Sequence, residues 1–224
     1  MNQALDWTRI DTVLCDMDGT VLDLSFDHAF WHEAVPRAWG QQNNMELAAA
    51  QQALRPLFVE HQGTLNWYCL DFWDRTLGLR LRELKQETAA DIRFLPQVQP
   101  TLEAIRASGR ELVLLTNAHP DVLDLKDRYS GLTALFDRAY STHPFGAPKE
   151  QLAFWQSFAP QTGIDLQRAV LVDDTPRVLR GALAGGVGQV LGVRDAGRAL
   201  PIREAEPDLI EISSLAALQV PSAP

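Results

Sequence analysis

VLCDMDGTVLDL, residues 13–24, begins with the apolar run Val13, Leu14 and Cys15 and passes directly into two carboxylates, Asp16 and Asp18, ahead of the Gly19-Thr20 turn. A short apolar run bounded by turn residues reads as a buried strand, and this one releases its acids at its C-terminal end. Open α/β sheets receive their ligands at that end of their strands. Asp and Gly are both poor strand formers, so the segment standing alone is a strand followed by an ordinary Asp-Gly turn. The rest of the chain changes that reading.

Two further apolar runs end in the same way: Leu112 to Leu115 leads into Thr116-Asn117, and Ala169 to Val172 leads into Asp173-Asp174. Helical patterns separate them, over Pro96 to Ser108, His119 to Tyr129, Lys149 to Phe158 and Pro176 to Ala184. A weaker strand over Phe136 to Ser141, another over Gln189 to Val193, and a last one at Leu209 to Ile212 before a short helix complete the alternation. Such alternation predicts a mostly parallel, Rossmann-like α/β sheet covered by helices on both faces. The Gly185 to Gly188 stretch fails the dinucleotide fingerprint, because Leu191 stands where the last glycine belongs.

Between the first strand and this alternation the pattern is helical throughout. Four helices are predicted: Ser25 to Val35, in doubt beyond Pro36; Met45 to Glu60, expected to kink or break at Pro56; Leu65 to Leu77, stopping at Gly78; and Arg80 to Ala90. The expected organisation is an α/β core from residues 1–23 and 91–224, interrupted by a helical unit at 24–90. Trp31, Trp39, Trp67, Tyr68, Phe72 and Trp73 read as the small core of that unit, Glu83 and Lys85 as a solvated face, and His28 and His32 as one helix face. The tail from Pro221 to Pro224 reads as disordered.

With 224 residues, 46% of them hydrophobic, the chain can bury a full core. No apolar run approaches a membrane span or a secretory segment, which leads to the expectation of a cytoplasmic protein without membrane contact. Cys15 and Cys69 show no metal-type or redox-type spacing and read as reduced core residues. A net charge of −9 argues against a nucleic-acid partner, and a small anionic ligand would need local positive groups.

In a parallel sheet the C-terminal strand ends share one edge, so Asp16, Asp18, Thr116, Asn117, Asp173 and Asp174 converge there. Four crowded carboxylates repel and hold their protons more tightly unless a cation shares the site, and an all-oxygen hard donor set suits Mg²⁺. Lys149 alone would be a solvated helix residue, but just after Pro148 it is the natural candidate to offset a ligand's charge.

DMDGTVLDL (16–24), LLTNAHP (114–120), GAPKE (146–150) and LVDDTP (171–176) resemble, in order and approximate spacing, motifs I to IV of the haloacid dehalogenase-like hydrolase superfamily in its phosphatase branch. The early helical insertion resembles that superfamily's first-type cap. More finely, the chain resembles bacterial GMP/IMP nucleotidases, whose cap carries a stretch similar to TLNWYCLDFW (64–73).

The resemblance implies a Mg²⁺-dependent phosphomonoesterase working through an aspartyl-phosphate, most simply a 5′-nucleotidase acting on purine nucleoside monophosphates, GMP and IMP. It makes Asp16 the nucleophile and Asp18 the acid that protonates the leaving oxygen and then activates water. It gives phosphoryl oxygens to Thr116 and the Asn117 backbone N–H, with positive charge from Lys149. Mg²⁺ would be bound by the Asp16 carboxylate, the Asp18 carbonyl oxygen and Asp174, with Asp173 one step behind the metal. Asp18 tells against the dehalogenase branch, which lacks that acid and needs no metal. Asn66 is the expected donor to the purine 6-oxo group and Trp67 the ring beside it. The rival readings are a sugar-phosphate or phosphoglycolate phosphatase, a phosphomutase, and a catalytically idle phosphoryl-ligand-binding protein.

Overall fold

A computed structural model of the chain describes residues 5–221. Residues 222–224 of the expected disordered tail lie outside the described part. Six strands, β1 (Thr12–Cys15), β2 (Glu111–Thr116), β3 (Arg138–Ser141), β4 (Ala169–Asp173), β5 (Gln189–Val193) and β6 (Glu211–Ile212), form one sheet in the order β3-β2-β1-β4-β5-β6. Every neighbouring pair is parallel. The winding direction reverses at β1, the switch point at which sheets of this order open a crevice for ligands.

The central strands are buried on both faces. Val13 and Cys15 of β1, Leu112 and Leu114 of β2, and Val170 and Val172 of β4 point into one apolar cluster, together with Leu102 and Ile105 of helix α7 (Val98–Ala107). Leu14, Val113, Leu115 and Leu171 point into the other, against Phe154 and Phe158 of α9 (Leu152–Thr162) and Leu179 of α10 (Pro176–Ala184). This period-two division follows from the pleat, and it explains why these strands read as unbroken apolar runs.

The intervening helices are α1 (Ser25–Ala29), α2 (Val35–Gln42), α3 (Leu47–His61), α4 (Leu65–Tyr68), α5 (Leu70–Leu77) and α6 (Leu81–Glu87). They build a third apolar cluster around the fully buried Trp73, which Val122 of α8 (Pro120–Ser130) joins. Pro36 does not end the first helix. A π turn over Phe30–Ala34 precedes it, widening the helix where the proline ring would otherwise meet a carbonyl. Helix α3 likewise runs through Pro56, with Ala50 and Leu54 buried, so packing overrides a poor local propensity. The expected single helix over Leu65 to Leu77 is two, broken at Cys69, which adopts extended backbone angles; Gly78 then stops α5 at a φ of 66°. Among the described residues no helix is long and apolar enough to cross a membrane.

Lys85 is the clearest departure from the sequence reading. Only 2% exposed, it donates to Asp27 at 2.6 Å and lies over the rings of Phe26 and Phe30.

Candidate active site

The register of the sheet brings the acids level. Cys15 stands opposite Leu114 on one side and Val172 on the other, and the Asp16 N–H continues the ladder to the Val172 carbonyl at 2.9 Å. Asp16 therefore emerges between the ends of β2 and β4. The chain then folds back at Gly19, whose φ is +83°; a Cβ there would stand 2.6 Å from an Asp174 oxygen, so both conformation and space demand glycine.

Lys149 lies in the turn ahead of α9 rather than at the expected helix start. It is held there by Asn117, whose Oδ1 accepts the Lys149 N–H at 2.9 Å while its Nδ2 donates to Glu150 at 2.9 Å. The Lys149 ammonium, 1% exposed, donates to Asp16 at 2.5 Å, Asp173 at 2.7 Å and the Leu115 carbonyl at 3.0 Å. Thr116 is buried at the end of β2 with its hydroxyl oxygen accepting the Ala118 N–H. Asp173 uses its other oxygen to accept the Thr175 N–H at 2.9 Å.

Carboxylate oxygens of Asp16, Asp173 and Asp174 lie within 4.8 Å of one another. Burial pushes Asp16 up to about 6; the Lys149 charge opposes this and Asp173 adds to it. Burial, then the charges of Asp173 and Asp16, push Asp174 well above the usual carboxylate range. Burial also opposes the Lys149 ammonium, but Asp16 and Asp173 outweigh it and keep the group charged.

A second network stands beside the first. Lys126 of α8, 1% exposed, donates to Asp18 and, at 2.5 Å, to Asp27, which also accepts from Lys85. Burial lifts Asp18 to about 7 despite Lys126, helped by the charges of Asp27 and Asp16. Asp27, although buried, is held at about 2 by Lys126 and Lys85. In the two networks five carboxylates (Asp16, Asp18, Asp27, Asp173, Asp174) face three ammonium groups (Lys85, Lys126, Lys149). Fully ionised, the groups would carry two more negative charges than positive ones, and that excess beside three converging carboxylates fits a divalent, oxygen-preferring cation.

Both networks open on a cleft of about 380 Å³, within the range of small-molecule sites. Asp16, Asp18, Thr116, Asn117, Lys149, Asp173 and Asp174 all line it. From the helices come Trp67, Tyr68, Trp31, His28, His32 and Gln62. Trp67 is half-buried and stacked on Trp31, with centroids 6.5 Å apart and planes 22° off parallel, and its carbonyl accepts the Trp73 indole N–H. Asn66, the next residue, is exposed and outside this lining, since neighbours on a one-turn helix point about 100° apart. Lys126, Asp27 and Lys85 were not legible as site residues, because none belongs to a strand-end motif. Glu150 was within reach as the neighbour of Lys149 in GAPKE; it accepts from Tyr68 at 2.7 Å and so joins the helical segment to the Asn117 loop.

A parallel sheet with acids at its switch point and a buried lysine on the next loop defines a class of hydrolase. The model of the haloacid dehalogenase-like hydrolase family matches residues 10–186, and the chain belongs to that family. It is 40% identical over 211 residues to the GMP/IMP nucleotidase YrfG of Escherichia coli (strain K12), covering 93% of this chain and 95% of that one. Among solved structures it is similar to a HAD phosphatase from Thermococcus onnurineus, with a TM-score of 0.74 and 21% identity over 92% of this chain and 94% of that one. It is also similar to the L-2-haloacid dehalogenase of Xanthobacter autotrophicus, with a TM-score of 0.61 and 19% identity over 92% and 96%. A phosphatase and a dehalogenase thus share the fold, and the chemistry has to be argued from the site.

Proposed function

We propose that this hydrolase is a Mg²⁺-dependent 5′-nucleotidase that removes the phosphate of purine nucleoside monophosphates, GMP and IMP in particular, with 24–90 serving as the cap of a core built from 1–23 and 91–224. The observation that carries the reading is the pairing of Asp16, held by Lys149 at 2.5 Å, with a second acid, Asp18, held apart on Lys126. The similarity to a nucleotidase over 93% of the chain supplies the substrate class.

In this reading an Asp16 carboxylate oxygen attacks phosphorus and the bond to the ribose oxygen breaks. Asp18 gives that oxygen its proton; a carboxyl held near pH 7 keeps one available at neutral pH. The anion of Asp18 then takes a proton from water, the water oxygen attacks the phosphoryl group on Asp16, and phosphate leaves. Thr116 and the Asn117 backbone N–H hold the phosphoryl oxygens, and Lys149 offsets their charge. The Asp16 carboxylate, the Asp18 carbonyl oxygen and Asp174 would hold Mg²⁺, which when bound supplies charge neutralisation at the phosphoryl group. Asp173 acts behind them by positioning Lys149.

Purine recognition falls to the helical end of the cleft. Trp67, backed by Trp31, offers a ring face. Stacking of a base on an aromatic ring is worth about 1–3 kcal/mol, so Trp67→Ala should raise KM about ten- to a hundredfold. Asn66 lies outside the lining and so gives way as donor to the 6-oxo group; Gln62, His28 and His32 are among the donor-bearing side chains that the helical segment brings to it.

A panel of phosphomonoesters tests the assignment. GMP and IMP should exceed AMP in kcat/KM by roughly tenfold or more, because a donor aimed at an oxo group is left facing an amino group in AMP. Comparable values for AMP and GMP would remove the preference, and better turnover of sugar phosphates would replace it.

Chelation should abolish turnover and Mg²⁺ restore it, whereas Ca²⁺ should not, since its looser and higher coordination admits both oxygens of Asp16 and occupies the attacking one. The metal should also stabilise the fold in a pH-dependent way. Asp16 has a folded value of about 6 against an ordinary 3.8, so the folded state favours its protonated form. The stability this lends at low pH is lost as pH rises through that interval, and Mg²⁺ offsets the resulting repulsion. At a hundredfold excess over Kd, Mg²⁺ should raise Tm by roughly 5–10 °C at pH 8 and by much less at pH 5. Equal shifts at the two pH values would disconnect the metal from these carboxylates.

A further inference from the structure

Near the acids, a cluster of different chemistry brings three segments together. Cys69 stands at the break between α4 and α5, His119 is the N-cap of α8, and His143 lies in the single 3₁₀ turn after β3. Their potential ligand atoms all lie within 4.8 Å of one another. The two imidazole rings meet edge to face with centroids 4.9 Å apart. In a tetrahedral zinc site, N and S ligands at about 2.0–2.3 Å from the metal are about 3.3–3.6 Å apart, so side-chain shifts of about 1 Å would close this cluster on an ion.

Other features point the same way. The Nε2 atom of His143 is buried and makes no hydrogen bond, which leaves it open to a ligand. The Cys69 thiol is free and half-buried, at the one place where the backbone departs from helix between Leu65 and Leu77. Carboxylates flank His119, with Asp71 3.8 Å from Nε2 and Asp121 3.6 Å from Nδ1. An acid at the nitrogen that does not ligate orients a metal-binding histidine, which is the place Asp121 takes when Nε2 binds. In the free protein Nδ1 accepts the Asp121 N–H at 3.2 Å; with a metal on Nε2 it would carry the proton and turn it to the Asp121 carboxylate.

We propose that Cys69, His119 and His143 bind a thiolate- and imidazole-preferring divalent cation of the Zn²⁺ class, at a site separate from the oxygen-only cluster of Asp16, Asp173 and Asp174. The donor types select against Mg²⁺ at one site and favour it at the other. Three protein ligands leave a fourth position for water. Because Cys69 belongs to the helical segment and both histidines to loops of the sheet, the ion cross-links the two. His119 also lines the cleft, and Tyr68 beside Cys69 already donates to Glu150, so the cross-link tightens an existing contact over the site.

The test is a titration of the metal-depleted full chain with Co²⁺ in excess Mg²⁺, followed by absorption. One Co²⁺ per chain should bind with the intense visible bands of tetrahedral coordination and a thiolate-to-cobalt charge-transfer band in the near ultraviolet, and one equivalent of Zn²⁺ should displace it. Cys69→Ser should lose the charge-transfer band, and His143→Gln should weaken binding at least tenfold, with circular dichroism and Mg²⁺-dependent turnover unchanged in both. Asp174→Asn should keep the band. Stoichiometric Zn²⁺ should raise the Tm of the unmodified chain and leave that of Cys69→Ser in place. Absence of the band, its survival in Cys69→Ser, or its loss in Asp174→Asn would each overturn the proposal, whatever the panel of phosphomonoesters shows.

Discussion

Asp16→Asn should yield a folded protein whose turnover of GMP is lower by about 10⁴-fold or more, the scale on which removal of a nucleophile disables other covalent enzymes. The amide occupies the same space but has no charged oxygen to attack phosphorus, so no phosphoryl group is taken up. Stability should move the other way. The folded state disfavours the Asp16 charge, as its elevation to about 6 records, and Lys149 keeps its contact to Asp173 at 2.7 Å when Asp16 is neutralised. At pH 8 without metal the variant should therefore melt at or above the temperature of the unmodified chain, which is the signature of a residue kept for function at a cost in stability. Turnover within about tenfold of the unmodified enzyme would take the nucleophile's part away from Asp16. A large fall in Tm would assign it a structural role.

Asp18→Asn should separate two substrates. A proton delivered by Asp18, as the proposed mechanism has it, would matter most when the leaving oxygen is a poor leaving group, as the ribose oxygen of a nucleotide is. General acid catalysis is worth roughly 10²–10⁴-fold, so turnover of GMP should fall by that much, while an activated aryl phosphate should lose several-fold less. The variant should fold, because Lys126 retains Asp27 at 2.5 Å and no buried ammonium is left alone. Equal losses on the two substrates would argue that Asp18 acts through the metal or the loop rather than as an acid.

The two networks explain why both substitutions are tolerable. Asp16→Asn removes one of three carboxylates around Lys149, and Asp18→Asn leaves Asp27 shared between Lys126 and Lys85, so each leaves the neighbouring lysine an acceptor. Lys126→Met would be a harsher change to the fold than either, since it leaves Asp18 and Asp27 facing each other without the cation they share.

What could be read from the sequence alone is what depends on near neighbours. Val13 to Cys15, Leu112 to Leu115 and Ala169 to Val172 are apolar because both faces of their strands are covered, and that burial is written locally as an unbroken run. The polar residues that end each run mark the sheet edge, and parallel pairing makes Asp16, Thr116, Asn117, Asp173 and Asp174 converge without further information. Lys149 entered as the basic residue beside those ends, and the cleft includes it.

Only the tertiary structure decided the features that join residues far apart in the chain. Lys85 reads as solvent-facing because helix periodicity is blind to Asp27, which meets it from 58 residues away. Asn66 and Trp67 are adjacent in sequence, yet one is exposed and the other lines the cleft, because the turn of a four-residue helix sets which side chain faces inward. Pro36 and Pro56 signal breaks that a π turn and the packing of α3 override. Cys69, His119 and His143 form no motif, since their spacing along the chain says nothing until three loops meet. Local propensity and periodicity determine elements and the edge at which strands end; long-range packing, which no short window contains, determines which side chains are removed from water and which charges they then meet.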